Sequence, residues 1–170
     1  MELTTQSFDM SSEPTVGAET GAPPERAGAA TREHFLRHGG RNLLRRAGLK
    51  PTRQRLMLSW LLFSDGGRHL TAEMLHSEAV AAGMQMSLAT VYNTLHQFTD
   101  AGLLRQIGVD GSKSFFDTNP TTHHHFFVDQ EDRLLDVPAP GVVISKLPQP
   151  LPRYEISRVD VIVHLRRKGV

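Results

Sequence analysis

The chain has 170 residues, enough for one ordinary domain or two small ones with a tail. Hydrophobic residues make up 39% and charged residues 22%, which supports a packed core, and no apolar run reaches the ~20 residues that cross a bilayer. There is no cysteine, which excludes disulfides, thiolate zinc sites, iron–sulfur ligation and cysteine nucleophiles, and leaves nitrogen and oxygen as the metal donors.

The net charge of +1 hides an asymmetry. Residues 1–30 carry five acids against one base and few large apolar groups, so they read as a disordered tail. They show neither the basic start nor the apolar stretch of a secretion signal, so the expected location is the cytoplasm. Residues 31–118 carry eleven bases against seven acids, and six of those bases (Arg41, Arg45, Arg46, Lys50, Arg53, Arg55) fall in one acid-free stretch. Such a cluster attracts phosphate and predicts salt-dependent binding to nucleic acid.

In chain order, a first helix is predicted over about Arg32–Ala47, weakened by Gly39-Gly40 and closed by Gly48. Thr52 caps a second helix that runs to about Phe63, and Thr71 caps a third that runs to about Ala82. Ser87 caps a fourth helix ending at Gly102. Two strands follow, Leu103–Val109 and Ser112–Phe116, joined at Asp110-Gly111 by a two-residue hairpin signal. Helices followed by such a hairpin describe a winged helix-turn-helix. After Asn119-Pro120 the pattern predicts strands at His123–Val128 and Arg133–Val137, and a helical turn or two around Val142–Lys146. A final strand is predicted over Tyr154–Leu165. The expected core of this part is Phe126, Phe127, Val161 and Val163. Three strands with little helix leave edges unpaired, so a two-fold homodimer is expected. The fold class is therefore α+β: a tail over 1–30, an N-terminal winged helix-turn-helix over 31–118, and a small α/β dimerisation domain over 119–170.

Helical spacing gives the fourth helix a core stripe of Leu88, Val91, Leu95 and Phe98. The opposite face presents Ala89, Thr90, Asn93, His96 and Gln97, with Tyr92 at its edge. Short hydrogen-bonding side chains at the start of such a helix suit base edges in the major groove. With the basic segment and the wing, the candidate DNA-binding set is Lys50, Thr52, Arg53, Ser87, Thr90, Tyr92, Asn93, Gln97 and Lys113.

Three adjacent histidines open the C-terminal part. Strand alternation sends His123 and His125 to one face and His124 to the other. Two imidazoles at i and i+2 can share one metal ion, with His69, Asp117 and Asp136 as candidates to complete the shell.

The runs AGLKPTRQR, HLTAEML, SLATVYNTLHQFTDAGLL and GSKSFFD together resemble the DNA-binding domain of the ferric uptake regulator family. THHHFFVDQEDRLLD resembles the iron response regulator branch of that family, and the likeness covers about Arg41 to Lys168. The resemblance implies a dimeric regulator whose fourth helix reads an inverted-repeat operator in double-stranded DNA, with Lys50 reaching the minor groove. It also implies a regulatory metal site drawn from His69, Asp117, His123 and His125, with Asp136 joining. Asn93 stands where many family members have arginine, which implies a distinct target motif. Val128 and Glu131 occupy the place of the family's first cysteine pair, so no cysteine-held structural zinc is expected. In the iron response regulator branch the triple histidine is associated with haem, which makes His123, His124 and His125 candidate haem ligands. The expected cofactor is haem, a divalent ion such as Fe, Mn or Zn, or both.

Two other readings compete. One is a small metallohydrolase using His123, His125 and Asp117, against which stands the absence of a motif-placed general base, nucleophile elbow or phosphate loop. The other is a DNA-binding protein without a sensor.

Overall fold

A computed structural model describes residues 29–168 apart from Ser112. The predicted tail thus lies almost wholly outside the described residues. The expected first helix is a continuous rod in three pieces: α1 (Ala29–His34), a π-helical turn over Phe35–Gly39, and α2 (Gly40–Arg46). The glycine pair does not weaken the rod so much as admit a ring. A Cβ on buried Gly40 would lie 2.8 Å from the Phe35 ring, which packs edge-on against Trp60.

Helices α3 (Arg53–Phe63), α4 (Ala72–Ala81) and α5 (Leu88–Asp100) start at the expected caps. The hydroxyls of Thr52, Thr71 and Ser87 each accept the amide three residues on. Just beyond α5, Gly102 has a φ of +71°, which lets the Leu103 amide turn back to the Phe98 carbonyl and closes the helix. Leu44, Leu58, Leu62, Leu75, Val91, Leu95 and Phe98 are fully buried between these helices. Leu88, expected in the α5 stripe, is only partly covered at the helix start, and Thr94 takes a buried place instead.

A two-residue strand absent from the sequence reading, β1 (His69–Leu70), pairs with β3 (Lys113–Asp117), which pairs with β2 (Arg105–Val109). Val109 faces Lys113 across the hairpin, and Ser112, the expected first residue of the second strand, lies outside the described residues. Alternation along β3 settles the layering. Phe116 points to the helices beside Leu70, while Phe115 and Asp117 point to the other side.

On that other side lies a second sheet of β4 (His125–Val128), β5 (Arg133–Asp136) and β6 (Ile162–Leu165), in the order β5-β4-β6. β5 runs antiparallel to β4 and β6 parallel to it. The two sheets stack through Ile107, Val109, Phe115, Phe127 and Leu134. Of the expected C-terminal core, only Phe127 is fully enclosed. Phe126, Val161 and Val163 are half-buried, because alternation turns them to the face away from the wing sheet. Val142–Lys146 forms no helix, in keeping with the prolines that flank it. The last strand is shorter than expected, since residues 154–161 pair with no strand among the described residues.

Candidate functional site

Each sheet places one histidine directly opposite one aspartate. In the wing sheet, β1–β3 register sets His69 against Asp117; in the second sheet, β4–β5 register sets His125 against Asp136. Residues opposite each other share a face, and both pairs lie on the faces that stack. His123, two residues before His125, reaches the same point from the connecting segment.

The resulting cluster is tight. His69, Asp117, His123 and His125 each offer a ligand atom within 4.8 Å of all the others. The Nε2 atoms of His69 and His123 lie 3.0 and 3.1 Å from Asp136 Oδ1, and His123 Nε2 lies 3.1 Å from Asp117 Oδ2. His125 Nε2 stands 3.6 Å from Asp117 Oδ2 and 3.8 Å from Asp136 Oδ1, beyond hydrogen-bond reach. His125 and Asp117 are fully buried. His69 Nε2, Asp117 Oδ2, His123 Nε2 and both ring nitrogens of His125 are buried without a hydrogen-bond partner.

Surrounding bonds orient these groups. The Asn119 amide donates to Asp117 Oδ1 at 2.7 Å, leaving Oδ2 for the cluster. His123 Nδ1 donates to the Thr121 carbonyl at 2.9 Å, which leaves Nε2 as the ring nitrogen turned toward the cluster. Burial lowers the pKa of His69, against the pull of Asp117 and Asp136, which favours a neutral imidazole donor. Burial alone would raise Asp117, but His125, the Asn119 amide, His69 and His123 together hold its carboxyl below the usual carboxylate range. Imidazole nitrogens beside a carboxylate, buried together without hydrogen-bond partners, fit a divalent cation.

His124 sits apart, as alternation requires. Its Nδ1 accepts the Val161 amide at 3.4 Å on the β6 side.

The candidate DNA-binding residues lie along α3, α5 and the wing. Lys50, Arg53 and Asn93 are exposed. Thr52 and Ser87 use their hydroxyls as caps, and Ser87 also bonds Thr90 Oγ1 at 3.0 Å. The Tyr92 hydroxyl donates to Glu73 Oε1 at 2.6 Å, which holds the Glu73 carboxyl below its usual value and stitches α5 to α4. Gln97 Oε1 accepts from Arg55 Nε and Nη2 at 3.0 and 2.7 Å. Lys113 pairs with Asp132 in the β4–β5 turn, so the wing tip is tied to the second sheet.

Sequence reasoning missed Arg105 and Asp160. Arg105 is 6% exposed at an inward position of β2, on the same face as Ile107 and Val109, and its Nη2 donates to Asp160 Oδ1 at 2.5 Å. The available signal was the arginine itself, since a charge at an inward strand position demands a buried partner.

The profile of the ferric uptake regulator family matches residues 46–142. The ferric uptake regulation protein of Escherichia coli (strain K12) is 36% identical over 85 residues, which covers 50% of this chain and 57% of that protein. The protein of the same name from Vibrio parahaemolyticus serotype O3:K6 (strain RIMD 2210633) is 40% identical over 82 residues, covering 48% and 54%. The match thus spans little more than half the length of these curated relatives. Among solved structures, the ferric uptake regulator of Pseudomonas aeruginosa with manganese aligns with a TM-score of 0.57 at 24% identity, over 76% of this chain and 98% of that one. The Vibrio cholerae ferric uptake regulator aligns with a TM-score of 0.58 at 22% identity, over 75% and 98%. These likenesses establish the fold as a winged helix followed by a small second α/β domain.

Proposed function

The chain belongs to the ferric uptake regulator family, and from that premise we propose that it is a dimeric DNA-binding transcription regulator that responds to a divalent metal ion. The observation that carries this reading is the meeting of His69, Asp117, His123, His125 and Asp136 where the wing sheet stacks on the second sheet. These five residues would hold the metal, and Fe, Mn or Zn all suit donors of imidazole and carboxylate. When bound, the ion supplies the positive charge that lets ionised carboxylates and lone pairs share one buried point.

His69 and Asp117 belong to the head that carries α5, and His125 and Asp136 to the sheet beyond it. Their attachment fixes the angle between head and sheet. In a two-fold dimer, that angle sets the spacing of the two α5 helices over an inverted-repeat operator, whose half-sites lie about one helical turn apart. Thr90, Tyr92, Asn93 and Gln97 would face bases there. Lys50, Thr52, Arg53, Ser87 and Lys113 would meet the backbone and grooves, with Lys50 in the minor groove. The half-buried face of Phe126, Val161 and Val163 supports the homodimer, as do the exposed side chains of Leu151 and Tyr154. The domain division at residue 118 and the cytoplasmic location belong to the same reading.

A haem reading, which would place the chain in the iron response regulator branch, draws on His123, His124 and His125. Haem iron brings four porphyrin nitrogens and takes one or two further ligands, whereas five protein groups converge here and His124 lies outside them. The arrangement therefore favours the bare cation.

Electrophoretic mobility shift and footprinting with the full chain test the reading. Selected operator DNA is titrated with and without Mn²⁺, Fe²⁺, Zn²⁺ and haem. The expected result is a metal-dependent change in affinity of about tenfold or more, which His125→Ala abolishes. Affinity that ignores every metal would leave a DNA-binding protein without a sensor. A response to haem alone would restore the branch assignment.

A further inference from the structure

We infer that Arg105, which is outside the ligand cluster, is a positioning residue for it: the guanidinium sets the orientation of His123 and ties the cluster to the start of β6. The inference rests on the metal reading above. Arg105 lies directly opposite Asp117 in the β2–β3 register, so a ligand and the guanidinium occupy neighbouring strands at one level. Its side chain is buried, and its two terminal nitrogens go to different places.

One terminal nitrogen, Nη1, donates to the Thr121 carbonyl and lies 3.4 Å from His123 Nδ1. That same carbonyl accepts the His123 Nδ1 proton at 2.9 Å. Thr121 O thus has two donors, and Arg105 pins the atom that decides which ring nitrogen of His123 keeps its lone pair. With Nδ1 occupied, Nε2 is the nitrogen left facing Asp117 and Asp136.

The other terminal nitrogen, Nη2, donates to Asp160 Oδ1 at 2.5 Å, and Asp160 Oδ2 takes Arg158 Nε at 2.5 Å. Asp160 immediately precedes Val161, whose carbonyl accepts the His125 amide at 3.0 Å and whose amide donates to His124 Nδ1. One buried side chain therefore braces both His123 and the segment that brings β6 onto β4. A planar fork with several donors can span these two acceptors; a lysine ammonium at the same position cannot.

The test uses the full chain titrated with Co²⁺, whose visible absorption reports the ligand field, alongside thermal melts without metal. Arg105→Gln is expected to weaken Co²⁺ binding by about 10- to 100-fold, the usual cost of losing an outer-shell partner, and to alter the band shape at saturation. Arg105→Lys should fall between it and the unsubstituted chain. Asp160→Asn leaves the Thr121 contact in place and should give a smaller change in the same direction; it carries the test if Arg105→Gln does not fold. Variants that melt earlier yet keep the original affinity and band shape would make Arg105 a strut only, and overturn the inference. An unsubstituted chain that gives no Co²⁺ band would overturn the metal reading, and this inference with it.

Discussion

The wing sheet and the second sheet each set a histidine against an aspartate, yet they are supported differently. Behind the wing sheet stands a helical core that encloses Leu70 and Phe116 completely. Behind the second sheet there is no further layer among the described residues, and Phe126, Val161 and Val163 are left half-covered. Half of the candidate metal site therefore rests on a self-sufficient head, and the other half on a sheet that borrows its burial from that head and, in the dimer proposed here, from a second copy. A cluster built across such a boundary is sensitive to how firmly the weaker side is held.

Removing the two buried phenylalanines separates the sides most strongly. Phe116→Ala should cost about 4 kcal/mol and lower the unfolding of the whole head. Phe127→Ala should cost a similar amount locally, yet loosen only β4–β6. Urea unfolding followed by circular dichroism, with hydrogen exchange at the β4 amides, distinguishes the two; equal loss of helix from both changes would erase the contrast.

A weaker effect is expected on the open face. Phe126→Ser should change the stability of a single chain by about 1 kcal/mol or less, because the ring is only half-buried, while shifting the sedimentation equilibrium from dimer to monomer. A dimer as tight as that of the unsubstituted chain would remove this face from the interface. Smallest of all is the exposed tie between the sheets. Lys113→Ala breaks the pair with Asp132 and should alter stability by about 0.5 kcal/mol or less. If Lys113 also meets a phosphate, the slope of log affinity against log salt should fall by about one.

Much of the head was legible from local chemistry. Thr52, Thr71 and Ser87 announce helix starts because their hydroxyls satisfy amides that would otherwise be orphaned, and Gly48, Gly83 and Gly102 announce stops. The i, i+2 spacing of His123 and His125 foretells their convergence, and alternation foretells that His124 stands apart. What stayed hidden depends on long-range pairing. β1 is too short to show a period, yet its register is what delivers His69. Alternation separates Phe126 from Phe127 but does not say which face will be covered, so both were assigned to the core. Arg105 was passed over because its partners, Thr121 and Asp160, are 16 and 55 residues away.

The way β6 joins its sheet has a consequence for the order of assembly. The β2–β3 hairpin joins strands that are neighbours in sequence, whereas the Val161 amide meets His124 across 37 residues of chain. Closing the larger loop costs more chain entropy before any contact repays it, so non-local pairings of this kind form late. The β1–β3 pairing that sets His69 against Asp117 closes a still longer stretch of chain, so both halves of the cluster wait on long-range closure after the hairpin has formed. A protein caught at that stage would grip its ligand with only part of its final set of donors.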